Sequence, residues 1–325
     1  MKLYFIIALT LLSLTCEREA EVVGPAGPSM YLETKNLLPL NPGEGHYEAW
    51  VSFANPQATV TPAATTTDTS FVSFGKFNVD EFGRLIELDG KLFTPRLAKT
   101  RNPQYAIDAV ISIEPNGVAD TLPGSVIIGG EFTGDLRVGV ANLSTNYRDA
   151  FGTDFQNARG YFLLDAPTAT DQSDSINGVW FMKSILPPTA GLMNLPPLSE
   201  GWKYEGWIIA QCATTPEHPL THFFQTGTFQ TSAGFDGDSA GPTRGMNGNG
   251  YPFPGQDFIQ DIRLDFKSHC LSVMVTIEPD DVAVPFTPMI LFKSTLIPTS
   301  LRRGQSVQMQ NNAANFPTAK ITLVR

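Results

Sequence analysis

Two glutamates close nearly identical phrases: Glu114 in SIEPNGVADTLPG (112–124) and Glu278 in TIEPDDVAVPFTP (276–288). Paired carboxylates are the minimum equipment of general acid–base chemistry. Their setting points elsewhere. In a strand, Ile111 and Ile113 share one face and Ser112 and Glu114 the other, and Pro115 then removes a ladder donor and ends the pairing. A carboxylate at a strand end is placed to accept turn amides. As a catalytic pair the two would have to converge from separate parts of the chain, so the reading is architectural.

The other chemically suggestive stretch is GFDGDSAGPTRGMNGNGYPFPGQDF, 234–258, with seven Gly, three Pro and an Asp-x-Asp pattern at Asp236 and Asp238. Oxygen-rich, Gly-rich loops suit Ca²⁺, which takes six to eight oxygens. Two carboxylates are few for that, so no metal is assigned. A long loop in a compact domain is a natural recognition element, and the candidate binding residues are Asp236, Asp238, Tyr251 and Phe253. His218 and His222 have helical ligand spacing, but Pro216 and Pro219 argue against a helix there. The Gly-Lys pairs at 75–76 and 90–91 lack the rest of a phosphate loop, and no nucleophile elbow, His-Glu-x-x-His or EF-hand loop is present. No catalytic residue and no cofactor is expected.

The elements that position these residues are short apolar alternations such as AIDAVISIE, GSVIIGGEF and LSVMVTIE, punctuated by 25 Pro and 28 Gly. That is the pattern of an all-β sandwich or barrel. The one candidate for a short helix lies at 144–158, where Tyr147, Ala150, Phe151 and Phe155 have helix-like spacing around Gly152. The acidic stretch 165–180 reads as a hairpin connection.

Three blocks recur in the same order. LPLNPGEGHYEAWVSF (38–53) matches LPPLSEGWKYEGWIIA (195–210), FGKF (74–77) matches TGTF (226–229), and the two Glu-Pro phrases follow. Loop insertions account for their unequal offsets. The reading is an internal duplication into two tandem β-sandwich-like domains, 31–143 and 144–325, the second including the connecting segment. Alternation puts Glu48 with Trp50, and Glu205 with Trp207, on one face, and Tyr47 and Tyr204 on the other. The tryptophans read as core aromatics, with an exposed carbohydrate platform as the alternative.

The N-terminus gives an address. MKLYFIIALTLLSLT carries one Lys and an apolar run that suits an export signal and is too short for a membrane span. It ends at Cys16, where a bacterial lipoprotein signal places its lipidated residue, although Ser13 and Thr15 depart from the usual residues there; cleavage by an ordinary signal peptidase is the alternative. Residues 16–30 read as a tether. The remaining Cys212 and Cys270 are an even number in an exported chain and read as a disulfide. A net charge of −10 argues against nucleic acid and against an electrostatic hold on an anionic membrane.

The sequence HYEAWV, then FGKF, then AVISIEPNGVADTLPGSVIIGG resembles the C-terminal extracytoplasmic domain of anti-sigma-K factors, over roughly 38–130 and more loosely over 195–292. The resemblance implies a fold and an envelope location and supplies no catalytic residues. The chain lacks the cytoplasmic segment and membrane span such a factor needs, so no sigma factor is expected as partner. The expected function is that of a non-catalytic cell-envelope lipoprotein, in the outer membrane or periplasm and bound to the membrane only through lipid. Its partner would be an envelope protein or glycan. The alternative is an exported enzyme acting on envelope glycan or peptide through the long loops of the second domain.

Overall fold

Strand after strand in this chain places β-branched and aromatic residues on a pleat and ends at Gly, Pro or Asn, and the computed structural model is correspondingly all-β. It describes residues 29–324 apart from 42, 55–69, 97–101, 118–120, 136, 214–218, 238–249, 260–261, 268–269 and 281–285. The strands of the first half are β1 (Ser29–Lys35), β2 (His46–Phe53), β3 (Ser70–Val79), β4 (Leu85–Ile86), β5 (Ala106–Glu114), β6 (Ser125–Gly134) and β7 (Val138–Leu143). Those that follow are β8 (Gly160–Leu164), β9 (Gly178–Trp180), β10 (Met182–Ile185), β11 (Pro188–Ala190), β12 (Trp202–Ala213) and β13 (Pro219–Phe229). The last are β14 (Gly255–Asp257), β15 (Leu271–Pro279), β16 (Ile290–Lys293), β17 (Ser306–Asn311) and β18 (Thr318–Val324).

They form two eight-stranded antiparallel sheets, β4-β3-β2-β5-β6-β7-β18-β1 and β13-β12-β15-β16-β17-β8-β9-β14, with β10 and β11 a separate hairpin. The orders superpose: β3, β2, β5, β6 and β7 correspond to β13, β12, β15, β16 and β17. One continuous cluster of buried apolar side chains runs through both sheets. Among its links, Phe151 packs edge-on to Trp202 at 4.8 Å and Trp202 edge-on to Phe286 at 6.2 Å.

The boundary expected at 143/144 does not divide the sheets. After β7 the chain crosses to the second sheet, where β8 pairs with β17. After β17 it crosses back, and β18 pairs with β7 over six residue pairs and with β1 over seven. The second half therefore supplies a strand, β18, to the sheet of the first. Pairing of this kind joins residues far apart in sequence, which local alternation cannot disclose.

The two crossovers touch. Phe155 packs edge-on to Phe316 at 5.6 Å, and the Asn311 amide donates to the carbonyls of Phe155 and Ala158, both at 2.9 Å. Segment 144–158 is a succession of turns instead of a helix, with Gly152 at φ +63° and Phe155 at +57°. Those left-handed residues break helical continuation while letting Phe151 and Phe155 point into the core. The stretch 165–180 does connect a hairpin, since β8 pairs with β9.

Candidate functional site

The three repeated blocks meet in space in each half. Tyr47 is fully buried, stacks on Phe77 at 5.7 Å and donates its hydroxyl to the Leu38 carbonyl at 2.9 Å. Tyr204 stacks on Phe229 at 5.7 Å and donates to the Pro196 carbonyl at 2.7 Å. The tyrosine ring fills core, and its hydroxyl ties the incoming chain to the sheet.

On the opposite faces the tryptophans are buried, each tied to a hydroxyl and a glutamate. Trp50 Nε1 donates to Ser112 Oγ at 2.9 Å, Ser112 Oγ donates to Glu114, and Glu114 Oε1 accepts from the Gly124 amide at 2.7 Å. In the second half Trp207 Nε1 reaches Thr276 Oγ1 at 3.0 Å and Glu278 Oε1 at 2.9 Å, while Thr276 and the Phe286 amide, at 3.2 Å, also donate to Glu278 Oε1. Both glutamates thus accept a main-chain amide of the loop that follows their strand. The indole, hydroxyl and carboxylate satisfy one another in a buried site.

The halves differ in charge. Burial raises the Glu48 carboxyl, but the nearby His46 and Ser73 and the charge of Lys76, 3.4 Å away, outweigh it and hold Glu48 below the usual carboxylate range. Thr228 stands where Lys76 would be: Glu48 pairs with Lys76 across β2 and β3, and Glu205 with Thr228 across β12 and β13. Burial, and then the neighbouring Glu205, push Glu278 up to about 8. Lys203 lies 3.5 Å from Glu205. Two carboxyls beside one ammonium favour the protonated form of Glu278.

The Gly of each Gly-x-Phe block makes room for a covering segment. A Cβ on Gly75 (φ +144°) would stand 2.6 Å from the Phe93 ring, and one on Gly227 (φ +109°) 2.6 Å from the Asp236 carboxyl carbon. Phe93 also packs on Phe77 at 4.7 Å. Beside it, Lys76, Glu87, Asp89 and Arg96 line a cleft of about 460 Å³ on the first half.

Of the loop residues expected to bind, Asp236 is buried and accepts the Gly255 amide at 2.8 Å. Tyr251 sets its ring edge-on to Trp180 at 5.3 Å and donates its hydroxyl to Asp165. Phe253 packs on the cluster of Leu163, Trp180 and Met182. These three root the loop on the second sheet; Asp238 lies outside the described residues, as do Cys16, His218 and His269. His46 is buried and His222 exposed on β13. Main-chain pairing of Gln211 N with the Cys270 carbonyl, 2.9 Å, brings Cys270 beside the strand that carries Cys212.

Sequence reasoning missed a buried polar network beneath that loop. Asp165, fully buried, accepts from Tyr251 and from Arg303 Nε at 2.6 Å. Asp257 accepts from Trp180 Nε1 at 2.9 Å and from the amide and hydroxyl of Thr168, and burial still raises its carboxyl. The available signal was local: Asp165, like Glu114, closes an apolar strand. Among the described residues no group of three or more His, Cys, Asp or Glu is placed to hold a metal ion, and no helix is long and apolar enough to cross a membrane. Neither family models nor curated proteins nor solved structures yield a match to the chain.

Proposed function

We propose that this chain is a non-enzymatic envelope protein, exported by its N-terminal signal and held by lipid at Cys16, whose two halves form one body presenting the 234–258 loop to an envelope protein or glycan. The observation that carries the reading is where its chemically capable groups are spent. Glu114, Glu278, Asp236 and Asp257 each accept main-chain, indole or hydroxyl hydrogens from within the fold. Groups so engaged stabilise a scaffold, and a loop rooted by Tyr251 and Phe253 on a rigid sheet is a common form of recognition element. Each half is read as a domain similar to the extracytoplasmic anti-sigma-K domain; the support is that the three motif blocks converge on one tyrosine stack and one tryptophan–glutamate relay. Cys212 and Cys270 are read as a disulfide, supported by the Gln211–Cys270 main-chain bond at the end of β12.

The test replaces 238–249 with a short Gly-Ser linker and compares capture of envelope components by the mature protein. Loss of capture with an unchanged β-rich circular dichroism spectrum and melting transition supports the reading. Hydrolysis of an envelope glycan or peptide by the purified protein, abolished by Asp236→Ala or Asp257→Asn, replaces it with the enzyme. Cys16→Ala should release the protein from the membrane fraction, and the unfolded, unreduced mature protein should show no free thiol.

A further inference from the structure

The donation of β18 has a consequence outside the single molecule. The slot between β1 and β7 is filled by β18, a strand that the second half donates. Main-chain pairing runs along both sides of it, and Ala319, Ile321 and Leu323 are buried beneath while Thr318 and Lys320 stay exposed. The sheet of the first half is therefore closed by a strand it does not itself supply.

We propose that the slot between β1 and β7 is a strand-acceptor site that also takes β18 from a second copy of this chain when two copies fold together. The contacts within the slot are the same whether the donor is attached or separate. What favours the attached strand is the tie of six residues, 312–317, between β17 and β18. A short tether sets an effective concentration in the millimolar range, so at concentrations approaching that value a second copy competes. Reciprocal donation closes the pair about a two-fold axis, since each copy supplies one strand and one slot. To reorient, the crossover releases the contacts of Phe316 with Phe155, of Asn311 with the Phe155 and Ala158 carbonyls, and of Asn312 with the Leu291 and Ile290 carbonyls.

The test uses two full-length copies with different affinity tags, each carrying Asn142→Cys and Lys320→Cys. These exposed positions lie directly opposite one another on β7 and β18. The copies are unfolded together and refolded at about 10 µM and at about 1 mM, spanning the approach to the effective concentration; folded copies mixed afterwards serve as control. Expected is a crossed complex that rises with refolding concentration, is absent from the control, and carries a disulfide joining the two chains through the introduced cysteines. Ile321→Asp on the donor should remove it. Should that variant fail to fold, peptide mapping of the introduced disulfide decides the matter alone. No crossed complex at either concentration, or a crossed complex whose introduced cysteines are joined only within chains, overturns the proposal.

Discussion

Replacing Glu278 with Gln separates charge from shape at the most heavily bonded carboxyl of the molecule. Glu278 Oε1 accepts from Trp207, Thr276 and the Phe286 amide, and burial together with the neighbouring Glu205 raises its carboxyl. Glutamine keeps the acceptor and offers an N–H to Glu205, so the network survives. What disappears is the titration. With the folded-state value raised to about 8 by burial and by Glu205, the folded protein holds a proton that the unfolded chain releases near the ordinary glutamate value. The folded state then binds more protons than the unfolded across that window, and unfolding free energy falls as pH rises through it.

Each pH unit costs about tenfold in the folding equilibrium, about 3–4 kcal/mol in all between pH 5 and 8. Below the unfolded value the contribution is fully present, and above about 8 it is gone. Wild type and Glu278→Gln should therefore be close in stability near pH 4, with the variant gaining steadily up to pH 8. Urea unfolding at pH 4, 5, 6, 7 and 8 reads this directly, with a constant m-value as the check that only stability has changed. Parallel stability curves, or a variant less stable than wild type at pH 8, would refute the raised Glu278 carboxyl.

The first half should respond with the opposite sign. Glu48 is held below the usual range despite burial, by His46, Ser73 and Lys76, so Glu48→Gln should destabilise at neutral pH and the difference should close as acid protonates the wild type, in the same urea series. Gly75→Ala and Gly227→Ala should each cost about 1–3 kcal/mol, because the added methyl meets Phe93 or Asp236 and the backbone stays at positive φ; thermal melts check this. Trp50→Phe should cost about 1–3 kcal/mol, because the buried Ser112 Oγ loses its indole donor while still donating to Glu114. The double variant Trp50→Phe, Ser112→Ala should recover none of it, since the buried Glu114 then loses its hydroxyl donor as well, as a double-mutant cycle will show.

Local periodicity was enough to read the strands and the faces of the repeated blocks. Tyr47 and Trp50, three residues apart, had to point to opposite faces, and they do. Glu114, at the end of its strand, had a turn amide within reach, and takes it from Gly124. The placement of β8 and β18 was illegible, since GYFLL and TAKITLV announce strands without saying beside which neighbour they lie. Asp165 meets Arg303 across 138 residues of sequence and Tyr251 across 86, contacts no spacing rule encodes. The Asp-x-Asp of the Gly-rich loop drew attention as an oxygen cluster, yet Asp236 caps the Gly255 amide, the bond that lets β14 begin.

The placement of β18 also fixes how the molecule bears load. A pull through the residues preceding Ser29 enters at β1, where seven residue pairs to β18 resist it together in shear instead of opening one by one. β18 is the covalent continuation of the second half through 312–317, so tension passes at once into the other sheet, while β7 holds the same strand from its far side. Both halves thus share a force applied at one terminus, and a pull strong enough to strip β1 away still leaves β18 clasped to β7.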